Sequence, residues 1–456
     1  MENISEFIAG IATQMWGWPL LVLLLGTHLF LTFRLKFIQR YMGKAIRLSV
    51  KKDAGSKGEI SQFSALATSL AATIGTGNII GVATAVALGG PGAVFWVWIT
   101  GVLGISTKYG EGLLAIKYRK RNVDGSFSGG PMYALEHGLK SKPLAVLFAV
   151  FTAVAAFGTG ASVQANSLAS ALSESFGLSG WVTGILLFFL VGLIIIGGIR
   201  SISRVCDKLV PFMAVFYVAG CVVILASGYD TLLPSLGLIV ESAFTGHAAL
   251  GGFAGSTMMM AARYGVARGL FSNESGLGSA PIVAAAARTK NPVRQALVSS
   301  SGTFWDTVVI CALTGLVLVN TGAWCSGKEG VQITQHAFEP VFWGYGSYFL
   351  CISLVTFSFS TIIGWAYYAE KSVEYLLGKK SVVYYKVVYL LMVFLGTILS
   401  LDLVWNLGDI FNGLMAVPNL IALLLLSGVI VSETRKYLWN GSIDEHDPEE
   451  HDPNTF

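Results

Sequence analysis

Long apolar stretches alternate with short charged ones along the whole chain. The apolar stretches recur at lengths near those a helix needs to cross a bilayer, about 20 residues. Eleven candidate spans lie near residues 15–33, 62–88, 92–116, 144–172, 180–199, 209–227, 252–287, 297–319, 345–370, 386–401 and 409–431. Residues 62–107, 181–199 and 410–432 carry no charge. The segment 252–287 is the exception, because it holds Arg263, Arg268 and Glu274. The pattern predicts an all-α integral membrane protein of about 11 transmembrane helices.

Composition points the same way. Of 456 residues, 54% are hydrophobic and 12% charged, whereas soluble domains carry about 25% charge. The positions of the charges say more than their sum. Alternate loops are basic: Arg34 to Lys52, Lys117 to Arg121, Arg200 to Lys208, Arg288 to Arg294, Lys371 to Lys386, and Arg435 with Lys436. The opposite loops hold Glu174, Asp230, Glu241, Asp402 and Asp409, with Lys328 as their one basic residue. The positive-inside rule then places the N-terminus outside and the C-terminus in the cytoplasm, in a cell (inner) membrane protein. Glu2 and Glu6 precede the first apolar run in place of a basic leader, so that run is expected to be a retained helix. The five cysteines form no CxxC pair and read as buried hydrophobes.

Two of the spans carry helix breakers at mid-depth. The first is Gly75, Thr76, Gly77 and Asn78. The second runs from Ser272 through Asn273, Glu274, Ser275, Gly276 and Leu277 to Gly278. With the first span set aside as an accessory helix, the other ten divide into five and five. Each half opens on a broken helix, and the two halves run in opposite senses. The organisation expected is an accessory segment 1–55, a five-helix repeat 56–227, a half-buried extracellular segment 228–250, a second repeat 251–436, and a disordered acidic tail 437–456. The loop 320–345 is expected to fold over the outer face. Interrupted helices at matching places of two inverted halves point to a transporter binding site.

The physical reason is that unwound backbone leaves N–H and C=O groups without helical partners. In hydrocarbon each costs several kcal/mol, so a break must line a cavity or hold a ligand. A zwitterion suits the exposed amides and carbonyls, and sodium suits hard oxygen ligands. Gly77 and Gly81 also form a GxxxG, for which close helix packing is the competing account. Asp306 is the one charge between residues 295 and 327, and an intramembrane carboxylate marks function. Its partner is a cation or Arg268. Glu274 and Arg268 could pair, gate access or touch substrate. Ser360 and Thr361 could offer oxygens to a cation or bond back to their own helix. Gln164 adds an amide to the fourth span.

The runs GGPGAVFWVW (89–98) and RGLFSNESGLGSAP (268–281) resemble signatures of the alanine/glycine:cation symporter family, over nearly the whole chain. The resemblance implies sodium-coupled uptake of alanine or glycine. It also implies the leucine-transporter-type fold, a 5+5 inverted repeat with two discontinuous helices and here an extra N-terminal helix. Candidate substrate residues are Thr73, Gly75, Thr76, Gly77, Gln164, Phe271, Asn273, Ser275, Gly276 and Trp365. Through the wider superfamily, Asn78 and the Thr73 carbonyl map to one sodium site. The carbonyls of Ala71, Ile74 and Phe357, with Ser360 and Thr361, map to a second. Asp306 departs from the pattern, since relatives can offer a neutral amide there. Trp365 at the substrate-facing position leaves room for only a very small side chain.

Other classes fit less well. HExxH, GxSxG and GxxxxGK[ST] are all missing, so neither a membrane enzyme nor an ATP-driven pump is indicated. No nucleic-acid partner is expected; the partners are substrate, sodium and lipid. A proton-coupled amino acid transporter is the main alternative, and a channel with broken helices a weaker one.

Overall fold

The computed structural model describes residues 2–51, 56–245, 258–328, 330–399 and 402–447. The segment 246–257, within the expected outer segment and the start of the second half, lies outside the described residues, as does the end of the tail, 448–456.

Helices α1 (Glu2–Met15) and α2 (Trp18–Arg34) form the accessory element. The first half continues as α3 (Gln62–Thr73), α4 (Val82–Gly89), α5 (Gly92–Lys117), α6 (Lys142–Ala155), α7 (Val163–Phe176), α8 (Gly180–Ile196) and α9 (Gly198–Ser227). After α10 (Tyr229–Phe244) come α11 (Met258–Asn273), α12 (Pro292–Thr303), α13 (Ala312–Asn320), α14 (Val331–Phe338), α15 (Gly346–Leu377), α16 (Val382–Gly396), α17 (Asp402–Leu425) and α18 (Ser427–Thr434). Among the described residues, six helical stretches are long and apolar enough to cross a membrane, or seven when the bent pair α3–α4 is one span. Helix α5, with 26 residues, reaches about 39 Å at 1.5 Å per residue, although it carries Lys108 and Glu111.

Local chemistry sets several boundaries. Ser61 caps α3 by accepting from the Ser64 amide at 3.0 Å. Asn291 caps α12, accepting from the Arg294 amide at 3.0 Å, with Pro292 in the first turn, where its missing N–H costs nothing. Gly177 ends α7 at φ 68. Helix α9 begins at Gly198, well before the apolar stretch expected at 209–227. Its first turns carry Arg200, Arg204, Asp207 and Lys208, so it starts in a polar layer.

Helix α8 is apolar outside as well as inside. Its exposed face includes Trp181, Leu193 and Ile196, and its buried face mixes Thr183, Gly184 and Gly192 with Leu187, Val191 and Ile195. Small residues inside let helices approach closely, and apolar residues outside match the hydrocarbon. Helix α5 packs along α11 and α12, while α15 packs on α3, α6, α7 and α9. Gly364 of α15 lies against α3: a Cβ there would stand 2.7–2.9 Å from Cβ, N and Cα of Ala72. The expected loop 320–345 contains α14, which packs on α15 and beside the first break.

The tail departs from expectation. Residues 440–447 are not free but lie along the start of α12. Asn291 donates its amide to the carbonyls of Ile443 and Glu445, each at 2.9 Å, and the Asp447 amide donates to the Lys290 carbonyl at 2.8 Å. Asp444 pairs with Arg294 and Lys51. The acidic composition read as disorder is here complementary to a basic surface, and Ile443 is buried. The hydrogen bond from Arg294 is the main cause holding the Asp444 carboxyl below the usual range. That contribution is present above about pH 4 and is lost as pH falls through the lowered value.

Two outcomes are expected. Gly364→Ala separates α15 from α3 and lowers stability by about 1–3 kcal/mol, measured as thermal unfolding in detergent. Asp444→Asn at neutral pH speeds limited proteolysis after residue 440 several-fold.

Candidate functional site

The two breaks face each other inside the bundle. Helix α3 stops at Thr73, Ile74 is extended at φ −77 and ψ 94, and a π-turn (Gly77–Gly81) restarts the helix. The two limbs are bent by 55°. The interruption is thus centred on Ile74 to Thr76, and Asn78 sits in the restarting turn. The second interruption is also displaced from its expected place. Ser272 and Asn273 close α11, and the unwound stretch is 274–280, followed by the short turn Pro281–Ala284.

At the first break, side chains replace the missing helical bonds. The Gly75 amide donates to Asn78 Oδ1 at 2.9 Å and the Thr76 amide to Gln164 Oε1 at 3.4 Å. In a continuous helix those amides would bond the carbonyls of Ala71 and Ala72. Gln164 is itself held by its amide donating to the Thr159 carbonyl at 3.3 Å.

Asp306 joins the breaks. Asn78 Nδ2 donates to its Oδ1 at 2.7 Å; Ser272 Oγ and Thr307 Oγ1 donate to its Oδ2 at 3.1 and 2.7 Å. The carboxylate therefore ties the restart of the first break to the last turn of α11, with all four residues buried. Phe271 and Ser272 lie against Gly77, 3.6 and 3.7 Å from where its Cβ would be. The outer edge of Phe271 meets the Trp16 ring edge-on at 6.0 Å.

A second group of oxygens forms where α15 crosses the first break. Thr361 Oγ1 lies 3.3 and 3.0 Å from the carbonyl oxygens of Ile74 and Phe357, its one proton shared between them, and Ser360 Oγ donates to the Phe357 carbonyl at 2.8 Å. Thr73 Oγ1 stays on its own helix, 3.4 Å from the Leu70 carbonyl. One turn on, Trp365 reaches the other break, where its Nε1 donates to Glu274 Oε1 at 3.0 Å.

Two candidate substrate residues point elsewhere. Ser275 Oγ is 3.0 Å from Thr303 Oγ1, and the Gly276 amide donates to Glu111 Oε1 at 2.9 Å. Both therefore face α5 and α12, behind the break, because the chain turns there through positive φ at Glu274, Gly276 and Gly278. Asn273 Oδ1 accepts from the Ser275 amide at 2.9 Å, which leaves its Nδ2 buried without a partner among the described residues.

The backing of this break was not singled out from the sequence. Glu111 Oε1 accepts from the amides of Gly276 and Gly278 and from Asn419 Nδ2, at 2.9, 3.1 and 2.7 Å. Lys108 lies one turn earlier on the same helix, between Gly104, which abuts Ser275, and Gly112, which abuts Ser299. Its ammonium is buried with no hydrogen-bond partner among the described residues. Charge inside a membrane helix was the signal that could have found both. Arg268 has no described contact with Asp306, whose hydrogen bonds come from Asn78, Ser272 and Thr307.

Glu111→Ala removes the acceptor for two buried amides, an expected loss of about 1–3 kcal/mol each. Glu111→Gln keeps an acceptor and should recover part of it. Thermal unfolding of both variants checks this.

The profile of the sodium:alanine symporter family matches residues 1–451. The chain is 50% identical to the sodium/alanine symporter AgcS of Methanococcus maripaludis, over 92% of this chain and 94% of that protein. It is 49% identical to an uncharacterised transporter of Haemophilus influenzae, over 98% and 99%. The crystal structure of MhsT in complex with L-phenylalanine is similar in fold, with TM-score 0.57 and 13% identity over 86% of this chain and 96% of that one.

Proposed function

Because the chain belongs to the sodium:alanine symporter family, we propose that it moves alanine or glycine across the cell membrane together with sodium, by alternating access. The observation that carries this reading is the Asn78–Asp306–Ser272 linkage. A single buried carboxylate connects the two interrupted helices, so charge at that point acts on both. A sodium ion beside Asp306 and Asn78 offsets the carboxylate and braces the first break. Thr73, Gly75, Thr76, Gly77, Gln164, Phe271 and Asn273 then receive the amino acid. Its carboxylate takes amides of the first break, and its ammonium takes carbonyl and side-chain oxygens.

The second sodium site is formed by the carbonyls of Ala71, Ile74 and Phe357 with the hydroxyls of Ser360 and Thr361. Hard oxygen donors from a break and from a crossing helix suit such an ion. Because one side of this site belongs to α15 and the other to α3, occupancy ties the two helices together. Each ligand then favours the state the other needs, and the coupling is reciprocal. The halves 56–227 and 251–436 are read as inverted five-helix repeats, with the N-terminus outside and the C-terminus cytoplasmic. The unpartnered Asn273 amide is offered to substrate.

Asn78→Ala and Thr361→Ala are each expected to raise the sodium concentration for half-maximal alanine uptake by about tenfold, as loss of a charge-assisted contact of about 1.5 kcal/mol requires. Uptake into proteoliposomes, with sodium and proton gradients imposed separately, is the test. Unchanged sodium dependence in both variants would overturn the cation assignment. Uptake driven by a proton gradient alone would overturn sodium coupling.

A further inference from the structure

We infer that Glu274 is a positioning residue for substrate size: it holds the Trp365 indole in place across the site, and selectivity for small side chains depends on that hydrogen bond. The inference rests on the symporter reading.

Glu274 sits in the unwound stretch at φ 54, a left-handed conformation that disfavours residues other than glycine. Such a conformation persists where surrounding contacts hold it. Oε2 accepts from the Ser279 hydroxyl, a bond within the same stretch that fixes the carboxylate plane. Oε1 accepts from Trp365 Nε1 at 3.0 Å, across to α15.

The indole is confined on its other sides too. Trp365 is among the largest fully buried side chains of the protein. Gly160 lies so close that a Cβ there would stand 2.5 Å from Trp365 Cβ and 2.8 Å from Cγ. The Tyr368 ring meets it edge-on at 5.6 Å. Gly160 and Tyr368 limit where the ring base can go, and among the described residues only Glu274 accepts from its polar edge. An indole N–H is a donor with one direction, and in a buried site it does not leave a carboxylate acceptor without a cost.

Thr361 and Trp365 stand one turn apart on α15. The first touches Ile74 at one break and the second touches Glu274 at the other. With the amino acid held at the first break, as the symporter reading has it, a substrate side chain extends toward this ring. While the bond holds, the ring cannot rotate away, and the space for the side chain stays small. Without the bond the ring has alternative rotamers and can make room for added methyl groups.

The test is equilibrium displacement of radiolabelled alanine from purified protein in sodium by glycine, alanine, 2-aminobutyrate and valine. Binding rather than flux is read, so a variant that binds but does not turn over still reports. Sodium-dependent alanine binding by the unmodified protein is measured first; its absence counts against the symporter reading and not against the role of Glu274. In Glu274→Ala, the preference for alanine over valine is expected to fall at least about tenfold. Glu274→Gln, whose amide oxygen accepts the same N–H, should keep the preference within about threefold of the unmodified protein. Trp365→Phe, which lacks the donor but leaves the carboxylate, should relax the preference as Glu274→Ala does. An unmodified size ranking in Glu274→Ala or Trp365→Phe overturns the proposal. So does an equal loss of affinity for all four ligands in Glu274→Gln, since that marks direct binding of the substrate ammonium.

Discussion

Everything at the centre of this protein follows from unsatisfied backbone in a place without water. Two helices are interrupted inside the bundle, and the amides exposed there must find acceptors within the protein. Asn78 and Gln164 supply them at the first break, and Glu111 supplies them at the second. These are not decorations on a finished scaffold. Without them the interruptions would close into ordinary helix or let water into the bundle. With them, the amides of Gly75 and Thr76 are taken by side chains and not by the carbonyls of Ala71 and Ala72.

The same constraint explains why the polar residues lie where they do. Asp306 is tolerated because three donors converge on it. Its donors come from both halves of the chain, so the carboxylate also holds the breaks in a fixed relation. Helix α15 adds a second link. Successive turns present Thr361 to the first break and Trp365 to the second, while Gly364 between them allows the close contact with α3. One continuous helix thereby contacts both interruptions.

Much of this was legible beforehand, for identifiable reasons. Glycines beside Asn78, and the polar run around Asn273, violate helical regularity in apolar surroundings, so the breaks announced themselves. Asp306 stood out as a solitary charge. Glu111 and Lys108 were passed over because they sit near the end of a long apolar helix, where the charge reads as a boundary. Their burial becomes visible only once α11 and α12 are laid against α5. The tail misled in the opposite sense. Acidic sequence poor in apolar residues does not fold alone, yet residues 443–447 are held against the basic start of α12.

By itself, the sequence determined the solvent, the helical class and the presence of two interruptions. Those depend on hydropathy and on the helix-breaking character of a few residues, which are local properties. The tertiary structure alone decided which way each polar group of an interruption points. Ser275 and Gly276 share a break with Asn273 and Glu274, yet they turn toward Glu111 and Thr303, while Glu274 turns toward Trp365. Unwound chain has no periodicity from which to infer a face. Its direction is set by partners scores or hundreds of residues away in the sequence, and only the packed bundle brings those partners together.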